Sequence, residues 1–67
     1  MKIRVDDLVR KTSGDYWWRG VVCAVFTTPD GHERVVVAHP VEKGYVLHIY
    51  APANLQIWID DEFHRVN

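Results

Sequence analysis

Four histidines (His32, His39, His48 and His64), one thiol (Cys23) and the aromatics Tyr16, Trp17, Trp18 and Tyr50 are the groups in this chain that could do chemistry. As metal ligands they fail on spacing. Structural zinc sites take ligands two to five residues apart along the chain, and no two of the four histidines and Cys23 are so placed. As a nucleophile Cys23 also fails. It sits in Val21-Val22-Cys23-Ala24-Val25, where nothing lowers a thiol pKa and apolar surroundings raise it. It reads as a small buried hydrophobe. No glycine-rich phosphate loop is present; the four glycines are scattered singly, and each reads as a turn. His32 falls in a turn, and His64 carries no signal of its own. The informative histidine is His48, within Tyr45-Val46-Leu47-His48-Ile49-Tyr50.

These groups must be positioned by strands. Ser13-Gly14-Asp15, Pro29-Asp30-Gly31, Glu42-Lys43-Gly44 and Pro52-Ala53-Asn54 divide the chain into short pieces rich in β-branched and aromatic residues. Strands are predicted over Leu8–Lys11, Trp17–Thr28, Glu33–Ala38, Tyr45–Tyr50 and Gln56–Ile59, with one 3₁₀ turn at Pro52–Leu55. Five short strands without crossover helices imply antiparallel pairing and closure into a small SH3-like barrel. The single domain spans 1–67, with its core over about 5–59 and a tail over 60–67 in which Phe63 and Val66 offer a short extra strand or a helical turn. Alternation along the fourth strand puts Tyr45, Leu47 and Ile49 on one face and Val46, His48 and Tyr50 on the other. Leu and Ile are assigned to the core. The Val46-His48-Tyr50 face is then an uncharged surface for a partner or ligand.

Size and charge narrow the functional classes. A chain of 67 residues supplies roughly 3–5 kcal/mol from one core. With Cys23 as its only cysteine it cannot form an internal disulfide, and the lone thiol suits a reducing compartment. Association between copies is the remaining stabiliser, consistent with 48% hydrophobic residues and three tryptophans. Eight Lys+Arg against nine Asp+Glu give a net charge of −1. That argues against a general nucleic-acid binder, which must neutralise several phosphates. No apolar stretch is long enough for a membrane span or resembles a signal peptide, so a soluble, cytoplasmic protein is expected. If Trp17 and Trp18 lie in extended chain they face opposite ways, one to the core and one to an interface.

Val9-Arg10-Lys11-Thr12-Ser13-Gly14, followed by Trp17 and Gly20-Val21-Val22, resembles the opening of the plasmid-borne type II dihydrofolate reductases. Thr28-Pro29-Asp30-Gly31 is similar to their Thr-Pro-Glu-Gly turn, and Val46-Leu47-His48-Ile49-Tyr50 to their Val-Gln-Ile-Tyr strand. Ala38-His39-Pro40 echoes an Ala-His-Pro in the same family. Small phage and bacterial SH3-like proteins resemble the chain through Gly14-Asp15-Tyr16 and Leu47-His48-Ile49-Tyr50.

The resemblance to the reductases implies four barrels around a central pore in which NADPH and dihydrofolate meet, and tolerance of trimethoprim. It implies that Lys11 attracts the anionic ligands at the pore mouth and that His48, standing where the family has glutamine, touches both rings. The backbone of Ile49 would hold the nicotinamide carboxamide, and Tyr50 would help bind both ligands. Hydride transfer would then rest on aligning the two rings, with His48 and Tyr50 as catalytic groups. Trp17, His39 and Val46 (serine in the family) would lie at subunit interfaces. The rival expectation is a non-catalytic accessory module that binds a protein or nucleic-acid partner through Trp17, Trp18 and the Val46-His48-Tyr50 face.

Overall fold

The β-branched runs between the turn residues form six strands in a computed structural model that describes residues 2–12 and 17–66. In chain order they are β1 (Leu8–Lys11), β2 (Arg19–Thr27), β3 (Glu33–Val41), β4 (Gly44–Tyr50), β5 (Leu55–Ile59) and β6 (Glu62–Arg65). A 3₁₀ turn over Pro52–Asn54 links β4 to β5. The Ser13-Gly14-Asp15 breaker and Tyr16 lie outside the described residues. No helix among the described residues is long and apolar enough to cross a membrane.

All pairings are antiparallel, and the strand order is β4-β3-β2-β1-β5-β6. The fold is all-β, as expected, but one detail is corrected. The sheet is not closed into a barrel, because β4 and β6 stand at its two ends. It also has six strands, the sixth being the short extra strand, one of the two alternatives for the segment 60–67. The segment folds back at Asp60-Asp61, both with positive φ (50° and 66°), and β6 pairs with β5 from Ile59↔Glu62 to Gln56↔Arg65. Positive φ at both central residues is the requirement of a type I′ two-residue hairpin turn.

The open sheet still curls around a core. Val9 of β1, Val22 of β2, Val35 and Val37 of β3, Tyr50 of β4, and Leu55 and Ile57 of β5 form one buried cluster with Ile3. A bulge between Val22 and Ala24 permits this curvature, since an extra residue bends a strand and increases its twist. That extra residue is Cys23, whose thiol is not buried as expected. Cys23 follows the buried Val22 in the alternation and so faces outward and is exposed, its Sγ 3.4 Å from the Val36 carbonyl oxygen; the bulge shifts the phase after it, so that Val25 packs on the core.

The sequence expectation for β4 is inverted. Its register against β3 pairs Val35 with Tyr50, Val37 with His48 and His39 with Val46. Val35, Val37 and His39 are all buried, so Val46, His48 and Tyr50 share the inner face. Tyr45, Leu47 and Ile49 are outside, at 70%, 62% and 63% exposure. The reading of four turn glycines also fails at Gly20, which is buried within β2 opposite Val9.

Candidate functional site

The same alternation that forms the core continues to one end of the inner face, where the side chains become polar. On β1, Lys11 follows Val9 by two positions. On β3, His39 follows Val37. On β4, His48 and Val46 precede Tyr50 in the same phase. Trp18, just ahead of β2, is carried alongside by the hydrogen bond from the Lys11 N–H to its carbonyl, 2.8 Å. Lys11, Trp18, His39, His48 and Tyr50 thus meet at one place although nearly the whole sheet separates them in sequence.

His39 is the centre of the group and has no exposed surface. Trp18 stacks on its ring, with centroids 4.0 Å apart and planes 15° from parallel. One ring nitrogen, Nδ1, lies 2.8 Å from the Arg19 carbonyl oxygen; the other, Nε2, lies 2.7 Å from the Tyr50 hydroxyl. His48 meets Trp18 and His39 edge-on, at 5.2 and 5.7 Å, and its Nδ1 is 3.4 Å from the Tyr50 hydroxyl oxygen. His48 remains exposed while Tyr50 is buried. The result is a wall of polarisable rings with a lysine beside it, suited to stacking and hydrogen bonding with a planar ligand.

The space for His39 is made by Gly20. A methyl group there would lie 2.5 Å from Val37 Cγ1, 2.7 Å from the Ala38 carbonyl oxygen and 3.0 Å from His39 Nδ1. Glycine inside a strand commonly marks such a close approach. Neither Gly20 nor the stacking role of Trp18 was singled out from sequence. The available signal was the two-residue spacing of Trp18 and Gly20, which gives them one face if the extended chain begins early.

The other expected site residues distribute differently. Val46, at 36% exposure, flanks His39 on the inner face. The side chain of Ile49 points to the outer face, away from the rings; its backbone belongs to edge strand β4. His39 is buried within the single chain. Trp17 is 64% exposed and stands over the Arg10 guanidinium at 4.0 Å, beside a cleft bordered by Thr12, Gln56 and Arg65. Arg10 also lies over Phe63, at 4.1 Å, and donates to Gln56 Oε1 at 2.8 Å. Trp17 is therefore not part of the ring cluster.

Burial holds the His39 pKa below the ordinary histidine value, and the nearby positive charges of His48 and Lys11 lower it further, against the opposing effect of the Arg19 carbonyl. The stability consequence follows from linkage. Above the unfolded value of ~6.5 His39 is neutral in both states and costs nothing. Below it the unfolded chain takes up a proton that the folded chain resists, so stability falls with pH until the lowered folded pKa is reached. The urea midpoint is expected to be lower at pH 5.5 than at pH 8, and His39→Gln should reduce that difference. Equal midpoints for the wild type would contradict the assignment.

Searches with the chain matched no family model, no curated protein and no solved structure.

Proposed function

We propose that this chain is an oligomeric binding protein of the SH3-like type II reductase kind, taking NADPH and dihydrofolate at the Lys11-Trp18-His48-Tyr50 end of its inner face. The observation that carries this reading is the convergence of Lys11 of β1 with His48 and Tyr50 of β4. These are the side chains for which the family resemblance implies ligand contact, and they share one end of one face. Both proposed ligands combine planar rings with anionic groups. The rings suit Trp18 and His48, which Tyr50 backs from the core, and the anionic groups suit Lys11. The chain's part in the reaction is to stack and orient the two rings and exclude water from between them. NADPH supplies the hydride.

The open sheet supports assembly as part of the same reading. β4 is an edge strand of that sheet, with an exposed apolar outer row that a second copy would cover. The uncharged outer row Tyr45-Leu47-Ile49 favours a second reading, an accessory module that docks another protein there; it places that contact opposite the face expected from sequence.

The test is NADPH oxidation by the purified chain with dihydrofolate, together with calorimetry of NADPH binding. Turnover above the spontaneous rate is expected, with growth on trimethoprim in bacteria that express the chain. Lys11→Met should raise both Michaelis constants several-fold and flatten their salt dependence, because exposed long-range attraction is screened by salt. Absence of both turnover and NADPH binding would end the reductase reading.

A further inference from the structure

The hydrogen bonds around Tyr50 have a direction that can be worked out atom by atom. A carbonyl oxygen only accepts, so His39 Nδ1 must carry a hydrogen and donate it to Arg19 at 2.8 Å. A buried, neutral imidazole then has its lone pair on Nε2. The Tyr50 hydroxyl, 2.7 Å away, must donate its only hydrogen there. The Tyr50 oxygen is left as an acceptor toward His48 Nδ1 at 3.4 Å. His48 Nδ1 must therefore hold a hydrogen, and its lone pair is on Nε2. The chain runs in one sense, from His48 through Tyr50 and His39 to the Arg19 carbonyl.

We infer that His48 is a proton-transfer group whose Nε2 is made the reactive nitrogen by Tyr50 and His39. Taking a second proton at Nε2 leaves the Nδ1–H donation to Tyr50 intact, so the imidazolium keeps its support. His48 is exposed and can exchange that proton with water. Its partner is a basic nitrogen in a planar heteroaromatic ligand. Tyr50 and His39 act as positioning residues. Lys11 and His39 are the other titratable groups that bear on this cluster.

In the reductase case, and resting on that reading, the dihydronicotinamide delivers hydride to the carbon of the C=N bond in dihydrofolate. The π electron pair moves to nitrogen, and that nitrogen takes the proton from His48 Nε2. His48 returns to its neutral Nδ1–H form and recovers a proton from water.

Two measurements on the whole chain test the inference. Long-range ¹H–¹⁵N NMR at pH 8.5, where imidazole is ordinarily neutral, should show His48 as the Nδ1–H tautomer. Tyr50→Phe keeps the ring and should shift His48 toward Nε2–H. Wild-type His48 found as Nε2–H, or a tautomer unaffected by Tyr50→Phe in a folded variant, overturns the proposal without any reference to activity. In the NADPH assay, His48→Gln keeps an amide that can donate and accept but cannot carry the proton. Glutamine is also the residue that the resembled family carries here, so turnover should persist while the acid limb of the pH profile set by His48 is lost. A wild-type pH profile in His48→Gln would overturn the proposal. If the wild type shows no turnover, the reductase reading fails, and the tautomer decides the inference by itself.

Discussion

Gly20→Ala should lower the melting temperature by roughly 10–20 °C. The new methyl group would have to displace Val37 Cγ1 at 2.5 Å, the Ala38 carbonyl oxygen at 2.7 Å and His39 Nδ1 at 3.0 Å. Val37 could relieve its contact only by leaving a rotamer packed at zero exposure. The carbonyl oxygen belongs to β3, which is paired on both sides through Val21↔Ala38 and Ala38↔Leu47. The clash therefore reaches backbone that cannot retreat cheaply. Overpacking of this kind costs about 1–3 kcal/mol, against about 3–5 kcal/mol available to a domain of this size. One kcal/mol corresponds to ~4–8 °C in such short chains. Melting followed by circular dichroism checks the result. A Gly20→Ala variant that melts within about 2 °C of the wild type would show that β2 and β3 are not held as close as described.

The variant also separates the core from the site. His39 Nδ1 is among the displaced atoms, so the Trp18–His39 stack and the bond to Tyr50 should be disturbed even in molecules that remain folded. Tyr50→Phe, by contrast, removes one hydroxyl and leaves Val37 and Gly20 in contact. The two variants should therefore differ in a clear way: Gly20→Ala loses stability and cluster geometry together, whereas Tyr50→Phe chiefly alters the histidine tautomers.

Local chemistry in the sequence accounts for much of the fold. The breakers at Pro29-Asp30-Gly31 and Glu42-Lys43-Gly44 bound β2, β3 and β4 because glycine accepts the positive φ found at Gly31 (90°) and Gly44 (140°). β1 matches its expected span, and the 3₁₀ turn falls at Pro52. What alternation could not provide was the choice of inner face on β4. Tyr45-Leu47-Ile49 is the more hydrophobic row, and a rule based on one strand selects it for the core. The decision is made by long-range register instead. Val35, Val37 and His39 are already committed inward on β3, and β4 must align Tyr50, His48 and Val46 with them. The outward face of Cys23 depends in the same way on which face of β2 is buried, because it alternates with Val22, which is paired with the buried Val37.

The site was legible in part. His48 and Tyr50 stand two positions apart and necessarily share a face, which the sequence alone establishes. The place of Lys11 beside them depends on β1 sitting between β2 and β5, and on the curl that brings β4 over the inner face. The burial of His39 depends on the missing side chain at Gly20. Histidine is a poor core residue by composition, so only the pocket above a glycine, closed by Trp18, makes it a central one.

Replacing Leu47 and Ile49 together with lysine is expected to abolish the self-association proposed for this chain and leave folded monomers. Both side chains are more than three-fifths exposed in the single chain, so folding of one copy gains little from them. Across the outer face they adjoin Ala38 and Val36 of β3, then Val21 and Ala24 of β2, and Val21 is paired with Leu8 of β1. No charge interrupts these positions. β4 is also a sheet edge whose Tyr45–Tyr50 run carries no lysine or proline, the usual protections against edge pairing. The chain exposes 4809 Å², whereas a compact monomer of its mass is expected to expose about 4,400 Å². A second copy is the simplest occupant because two such faces meet without opposing charges. A two-fold pairing would remove four large aliphatic side chains from water, at about 1–2 kcal/mol each for the area still exposed. Their loss, with four lysines facing one another, should weaken association by at least ~10³-fold. Light scattering at tens of micromolar should show an assembly for the wild type and a monomer for the double variant, with circular dichroism still reporting strand. A wild type that is monomeric at that concentration would remove self-association, leaving the outer face to a different protein. A double variant that stays assembled would place the subunit contact elsewhere, and the exposed Trp17 beside Arg10 would be the next surface to alter.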